Sequence, residues 1–491
     1  YEEKPKSLYY QIERTKTAAC VGSVRADGNI LSGKGVIVGV IDTGIDIFDN
    51  AFRNSDGTTR ILNIYDQTTG EKYDKQSIDE YIRLNEDLSG GTFSYDNAPG
   101  VDNIMHGTDV SYIAAGSLGV AYEADIIAVK MGYSINNQFP RTTSLMDAID
   151  YIIRKAIEYR KPVAVNISYG CNYGAHNGNT LLESFIDDIS KSYRCVICVG
   201  SGNEADKAIH FGGIINTGQV QTAYLSVGEY QSAIDIQIWK NYWDTIDVML
   251  INPRGEQIGI ITEGRINRYE TYNTEIITLL GEPSPYNIYQ EIYINLIPKT
   301  DYILSGIWQI VLMAGSIRAG EYNIWLPSSQ ALGYATAFNN PTADGTITIP
   351  ATARNCIAVG AYNAYTNSYA AFSGRGFDNS IRNVNAGVKP DITAPGVDIS
   401  IARQRGNDIT YRNVTGTSYA VPVVTGAAVL LMQWGIVMGN DRFMYGEKLK
   451  AALIDGSKPV GLVGITRNDN QPDPRTGWGA VCLKNTLNKI L

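Results

Sequence analysis

Histidine, cysteine and positive charge are all scarce in this chain of 491 residues, and each shortage narrows what it can be. Three histidines leave three candidates for an imidazole base: His106, His176 and His210. Six cysteines (Cys20, Cys171, Cys195, Cys198, Cys356 and Cys482) are too sparse for a disulfide-built scaffold of this length. Cys195, Cys198 and Cys356 sit in strand-like apolar runs, so the expectation is free thiols buried as small hydrophobes. With 41 basic against 50 acidic side chains the formal charge is −9, which argues against a nucleic-acid partner. No apolar run approaches the roughly 20 residues of a bilayer-spanning helix, so no membrane span is expected. The longest runs, such as 36–41 and 195–199, have the length of buried strands. EF-hand spacing is missing too. The acidic loop 46–49 reads as solvated surface acids, and neither a metal nor another cofactor is expected. The chain opens at Tyr1 rather than Met, so a removed leader or a trimmed end is expected.

What is present is globular: 44% of residues are hydrophobic and 19% charged, over a length that exceeds one ordinary core. Residues 35–42 (GVIVGVID), 124–131, 163–168 and 195–201 are β-branched runs. Segments 144–159 and 180–192 carry apolar residues at helical spacing. Continuous apolar strands separated by helices predict a parallel sheet covered on both faces. From about Lys207 to Pro327 the texture changes to short alternating runs rich in Tyr, Ile and Trp, as at 234–239, 247–251, 307–313 and 322–326. These predict an antiparallel β-sandwich. After Thr346 the α/β pattern returns, with a strand-like run at 356–359 and a helix-like stretch from Thr417 to about Trp434. The expected fold class is therefore α/β, a parallel sheet flanked by helices and interrupted by an inserted antiparallel sandwich. Its expected parts are 1–206 (with an N-terminal segment 1–30), the insert 207–338, and 339–491.

Hydrolysis of a peptide bond needs a nucleophile, a base for its proton, a group to orient that base, and donors for the developing oxyanion. His106 opens His106-Gly107-Thr108, which runs into an apolar helical pattern ending Ala114-Ala115-Gly116. The imidazole is thus placed at a helix start among small neighbours. His176 and His210 lie in glycine-containing stretches and read as loop positions. Asp42 closes the first apolar run, at the carboxyl end of a strand, where parallel sheets form their sites. Ser418 stands in Thr415-Gly416-Thr417-Ser418-Tyr419-Ala420, at the start of a long apolar helix whose first turn offers unpaired backbone N–H groups. Asn203, in Gly200-Ser201-Gly202-Asn203-Glu204, follows a buried run and can aim its amide at the same place. Each has a bland alternative: a strand-end Asp caps a turn, a Ser before a helix is an N-cap, and Gly-Asn is a turn. Four such segments in this order favour catalysis.

The segments Val40-Ile41-Asp42-Thr43-Gly44-Ile45-Asp46, His106-Gly107-Thr108, Gly202-Asn203-Glu204 and Gly416-Thr417-Ser418 resemble the four signature regions of the subtilisin family. Their order, Asp then His then Ser, is that family's order. Thr348-Ile349-Pro350-Ala351-Thr352-Ala353, Lys389-Pro390-Asp391 and Thr393-Ala394-Pro395-Gly396 resemble it as well, so the resemblance covers about 31–203 and 346–430. Within the family the chain is similar to the clostridial Csp-type proteases of spore germination. That likeness is carried by Ala51-Phe52-Arg53, Asp66-Gln67, Asn166-Ile167-Ser168, Asn172-Tyr173-Gly174, Leu431-Met432-Gln433-Trp434-Gly435, Tyr445-Gly446-Glu447-Lys448 and Trp478-Gly479.

The resemblance implies a serine endopeptidase with Asp42, His106 and Ser418 as triad and Asn203 in the oxyanion hole. It implies a protein or peptide substrate, paired as an added strand with Gly132, Ser168, Tyr169 and Gly170. The walls of the specificity pocket would be Ser168 to Cys171 and Gly200, Ser201, Gly202 and Asn203, with Cys171 in place of a usual glycine, either narrowing or chemically sensitising the pocket or simply packed as a thiol. It further implies a jelly-roll insert, an N-terminal prodomain acting as folding aid and inhibitor, activation of a protein zymogen by limited proteolysis, and an extracytoplasmic or spore-associated setting in a Gram-positive anaerobe. The chain departs from the family at Met105 (usually Gly), Asp109 (a second His), Tyr419 (Met), Val421 (a small residue), Val423 (His) and Asp49 (often His). An acid at Asp109 suits the first turn of a helix. Two rivals remain: a silent pseudoprotease scaffold on the same fold, and an insert whose Trp239, Tyr242, Trp243, Trp308 and Trp325 form a binding stripe rather than core.

Overall fold

Apolar runs without polar interruption pair side by side only where both faces of the sheet are covered. The computed structural model describes residues 11–22, 24–26, 28–86, 98–132, 140–259, 261, 266–377, 387–405, 408–461 and 472–491. At its centre lies a nine-stranded sheet. Its strands are β1 (Ile37–Asp42), β2 (Ile61–Asp66), β3 (Glu71–Asp74), β4 (Asp125–Lys130), β5 (Val163–Ile167), β6 (Cys195–Gly200), β7 (Ile357–Asn363), β8 (Ser368–Tyr369) and β9 (Ile392–Pro395). They run in the order β8-β7-β6-β5-β1-β4-β2-β3, with β9 also on β7. Pairing is parallel throughout except at the edges, where β8 and β3 are antiparallel to their neighbours.

Alternate residues of the same strand feed two cores. Ile37, Ile41, Val163, Val165 and Ile197 face the helices Thr142–Tyr159 and Leu181–Ser192. Val38, Val40, Ala164, Val196 and Cys198 face the helices His106–Ala115, Thr417–Met432 and Gly446–Asp455. Leu181–Ser192 starts where the sequence says it should, because Thr180 and Glu183 form a reciprocal capping box. Thr417–Met432 is apolar on every side, as a helix packed all round must be. Together with the turn that follows, Thr417–Val437 contains an 18-residue window of mean hydropathy 1.8, long and apolar enough by composition to cross a membrane. The sequence reading found no such stretch, but 89% of it is buried inside the protein.

Between His210 and Phe338 lie two antiparallel sheets. One is formed by Gln257–Ile258, Ile246–Ile251, Gly306–Ala314, Val220–Val227 and Ala337–Phe338. The other is formed by Ile266–Glu270, Thr274–Leu280, Tyr289–Pro298, Ile234–Asn241, Glu321–Trp325 and His210–Ile214. Burial alternates along Ile234–Asn241 and Ile246–Ile251, and Leu225, Ile236, Ile294, Trp308 and Ile310 of the two sheets share one core. Trp308 and Trp325 are each 1% exposed, so they belong to that core, whereas Trp243, at 52%, faces solvent. His210 opens a strand instead of lying in a loop, because its backbone pairs with Trp325.

Two further features were not read from the sequence. The ribbon Ile399–Arg405 with Asp408–Val414 alternates too weakly to announce itself. Cys20 and Cys482 form a disulfide, which corrects the expectation of free thiols for this pair. They stand at helix ends 462 residues apart and come together where Leu483 N donates to Ala19 O at 3.2 Å. Cys195, Cys198 and Cys356 are free and fully buried. Trp308→Ala is expected to destabilise the protein by about 3–5 kcal/mol through the cavity it leaves, measured by denaturant unfolding followed by insert tryptophan fluorescence.

Candidate active site

β1 lies between β4 and β5 near the middle of the sheet, and in parallel sheets sites form at the carboxyl ends of the strands. Asp42 is the last residue of β1 and is 1% exposed. One of its carboxylate oxygens accepts from Thr43 N at 2.8 Å and meets Nδ1 of His106 at 2.6 Å. The other oxygen has no hydrogen-bond partner among the described residues. A buried carboxylate is costly unless paired, and this one pairs with the imidazole.

The His106 helix can approach β1 this closely because its second residue has no side chain. A Cβ on Gly107 would stand 2.3 Å from Gly44 O and 2.9 Å from Asp42 Cβ. Asp102, fully buried, fastens the approach: one oxygen accepts from Thr43 Oγ1 (2.8 Å) and Met105 N (2.7 Å), the other from Thr108 N (2.8 Å) and Thr108 Oγ1 (2.7 Å). Thr43 Oγ1 in turn accepts from Gly107 N at 2.9 Å. Sequence reasoning missed Asp102 and the bonding role of Thr43, because Asp102 lies four residues before the helix and not at its N-cap, Met105, so no local capping signal marks it. Met105 stands immediately before the helix with φ +66°, a left-handed conformation that costs a side-chain-bearing residue about 1–2 kcal/mol, which explains the glycine usual there.

Burial by itself lowers the proton affinity of His106, but the charge and hydrogen bond of Asp42, with Asp102 and Asp109 behind, outweigh it and hold the imidazole above its ordinary value. Its side chain keeps a quarter of its surface exposed, so a proton can still be exchanged with a bound group. Tyr419 lies against it with ring centroids 5.3 Å apart.

Ser418 is the second residue of the Thr417–Met432 helix and is half-buried. Its hydroxyl makes no hydrogen bond with a described residue, and its carbonyl accepts from Ser168 Oγ at 3.3 Å. Asn203 Oδ1 accepts from Thr417 N (2.9 Å) and Thr417 Oγ1 (3.1 Å), which turns the amide nitrogen toward Gly416: a Cβ there would lie 3.5 Å from it. Strand β5 joins the same cluster through Asn166, whose Nδ2 donates to Ser168 Oγ (3.0 Å) and whose Oδ1 accepts from Thr425 (3.1 Å). The structure therefore gathers the strand end, two helix starts and one amide that the sequence singled out. His176 and His210 lie elsewhere, stacked on Trp325 at 4.1 and 4.9 Å. Burial pulls His176 down to about 4.

The remaining candidates flank this cluster. Gly132 follows β4, with its N–H on Gln67 Oε1 at 3.1 Å. Tyr169 packs against the core beneath, and a Cβ on Gly170 would meet Thr348 Oγ1 at 2.5 Å. Cys171 exchanges backbone bonds with Ile349 (2.9 and 2.8 Å), and Ser201 O accepts from Thr348 N at 3.0 Å, so one strap, Thr348-Ile349, braces both presumptive walls. Gly200 ends β6 beside Thr417, and Gly202 turns at φ +92° over Thr348. The side chain of Ser201 is fully buried, with its Oγ 3.3 Å from Ser373 Oγ, so only its backbone is left to face a substrate. Asp46 and Asp49, expected to be solvated, are 1% and 0% exposed because the ribbon covers them. Burial, with Asp46 adding to it, raises Asp49 to about 6. Val421 and Val423 are fully buried in the core.

The Subtilase family matches residues 33–284 and 319–479. The chain belongs to that family. The subtilases are serine peptidases, and the fold seen here is theirs, with antiparallel sheets added. The structure of the CspB protease of Clostridium perfringens is 34% identical, covers 96% of each chain and superposes with a TM-score of 0.86. Subtilase-type proteinase RRT12 of Saccharomyces cerevisiae is 32% identical over 128 residues, 26% of this chain and 23% of that protein. Subtilisin-like protease 10 of Arthroderma otae is 33% identical over 120 residues, 24% of this chain and 27% of that protein. The matched stretch spans about a quarter of the length of those two curated relatives.

Within this subtilase, Gly107→Ala is expected to cost about 1–3 kcal/mol or more through overpacking and to break the Asp42–His106 bond. Gly22→Ala, which meets nothing within 4 Å, is expected to leave stability unchanged; paired denaturant titrations measure both.

Proposed function

We propose that this subtilase is a serine endopeptidase that works through an acyl-enzyme, with Asp42, His106 and Ser418 as its triad. The observation that carries this reading is the 2.6 Å bond from Asp42 to His106 Nδ1, set beside the helix start that holds Ser418. With Nδ1 held by Asp42, the far nitrogen of His106 is left to take the Ser418 proton as Oγ attacks the scissile carbonyl. His106 then returns the proton to the leaving amine, and water repeats the sequence on the acyl-enzyme. Asp42 stabilises the imidazolium formed in each half. The oxyanion is received by the Asn203 amide nitrogen, which donates to no described residue, and by the Ser418 backbone N–H at the start of its helix.

The substrate in this reading is an extended peptide laid between Gly132 and Ser168–Tyr169–Gly170, with its specificity side chain between Ser168–Cys171 and Gly200–Asn203. Cys171 is partly buried, and burial raises its thiol above the ordinary range, which suits a neutral wall more than a reactive group. Maturation from an N-terminal prodomain, limited proteolysis of a protein zymogen, and an extracytoplasmic or spore-associated setting complete the proposal. The full-length likeness to the CspB protease supports these, and the Cys20–Cys482 disulfide fits an oxidising compartment.

Ser418→Ala is expected to abolish peptide cleavage, and Asn203→Ala to lower kcat by about 10²–10³; steady-state assays on a peptide library and labelling of Ser418 by a fluorophosphonate check both. Undiminished cleavage by Ser418→Ala would overturn the assignment. Because the base must be neutral and its proton affinity is raised, kcat/KM is expected to rise through an ionisation above 6.5 and to be lost below it. A kcat/KM–pH profile measures that limb. For maturation, the product of the full-length gene is expected to be processed in the wild type and not in Ser418→Ala, as read by N-terminal sequencing.

A further inference from the structure

The ribbon Ile399–Arg405/Asp408–Val414 runs directly into Thr415-Gly416-Thr417-Ser418, and its arginines reach the two other segments of the proposed triad. Arg405 Nε donates to Asp46 Oδ2 at 2.7 Å, on the loop that follows Asp42. Arg403 Nε donates to Asp109 Oδ1 at 2.9 Å, and its Nη2 donates to the same oxygen and to Met105 O at 3.1 Å. Arg412 Nη2 pairs with Asp109 Oδ2 at 2.7 Å. Asp109 is fully buried and lies one turn after His106 on the same helix, so the two side chains share a face.

We propose that Asp109, clamped between Arg403 and Arg412, is a positioning residue for His106. The clamp holds the left-handed turn that starts the helix and offsets most of the charge of Asp109, so that Asp42 dominates the field at the imidazole. The inference rests on His106 being the base of the reaction proposed above.

Each element around the ring contributes to that field. Asp42 faces it from β1, Asp102 from the loop before the helix, Asp109 from the helix itself, and Tyr419 from the Ser418 helix. The ribbon faces Asp109 and Tyr419 rather than the ring. Burial pushes the carboxyl of Asp109 up, and Arg403 and Arg412 pull it back down. Two guanidiniums on one buried carboxylate leave no excess negative charge, whereas the loss of one leaves Asp109 partly uncompensated behind the imidazole. The imidazolium is then favoured and the base is silenced at higher pH. Removing Asp109 has the opposite sign, because it leaves two cations.

Arg412 is the position to test, since 42% of its side chain is exposed and it does not hold the Met105 turn. The experiment measures the pH dependence of fluorophosphonate labelling of Ser418, and in parallel the NMR titration of the His106 ring, in full-length wild type, Arg412→Gln, Arg412→Lys and Asp109→Asn. Arg412→Gln is expected to move both curves to higher pH and to slow labelling about threefold on the acid side. Arg412→Lys is expected to stay with the wild type, and Asp109→Asn to move the curves to lower pH. Superimposed curves for wild type and Arg412→Gln would overturn the proposal, as would equal shifts in Arg412→Gln and Arg412→Lys, which would point to packing rather than charge. If wild type fails to label while the His106 titrations shift as stated, the peptidase reading fails and the clamp stands. Asp109→Asn risks misfolding, and the Arg412 pair decides the matter without it.

Discussion

The site depends on a helix start reaching into contact with a strand end. Asp42 is buried at the tip of β1 and would be a costly isolated charge were the first turn of the His106 helix not laid directly on it. That contact requires a residue without a side chain at Gly107 and a backbone turned left-handed just before it. Both demands conflict with ordinary helix preferences, so the turn needs external support. Asp102, Thr43 and Thr108 supply it from one side, with four hydrogen bonds converging on a single carboxylate, and Arg403 supplies it from the other. The geometry at His106 is thus held by groups that do not themselves face a substrate.

A similar division of labour surrounds Asn203. Its own oxygen is spent on Thr417, which orients the amide nitrogen. The next residue, Glu204, carries a carboxyl pushed up by burial and accepts from Ser329 N at 3.0 Å and from Ser329 Oγ, just past the last strand of the six-stranded sheet. Asn172 Nδ2 donates to Leu326 O, and His176 stacks on Trp325, so the inserted sheets are tied to the walls of the cleft at several points. In the proposed reaction an amide held in this way would act as a pre-organised donor, which stabilises an oxyanion without reorganising when charge develops.

Much of this was legible in one dimension because its causes are local. Apolar runs at 35–42 and 195–201 read as covered strands, the alternation at 234–239 as a half-covered one, and the apolar spacing over 180–192 as a helix. Asp42, His106, Asn203 and Ser418 each stood at the boundary where a strand ends or a helix begins, which is where backbone geometry exposes a side chain. The ribbon arginines left no such trace. Arg403 and Arg412 look like solvated charges on a weakly alternating hairpin until Asp109, nearly 300 residues earlier, is brought beneath them. Asp46 and Asp49 were misjudged for the same reason, since an acidic loop looks the same whether or not something folds over it.

Sequence alone determined the architecture, the order of the chemical groups and the position of each at an element boundary, because periodicity and capping act over a few residues. Tertiary structure alone decided which acids are buried and paired, which two cysteines bond, and how the Asn203 amide and the His106 ring are turned. Those outcomes depend on contacts between segments from 64 to 462 residues apart, and in such contacts the sign and cost of a charge are set by what packs over it.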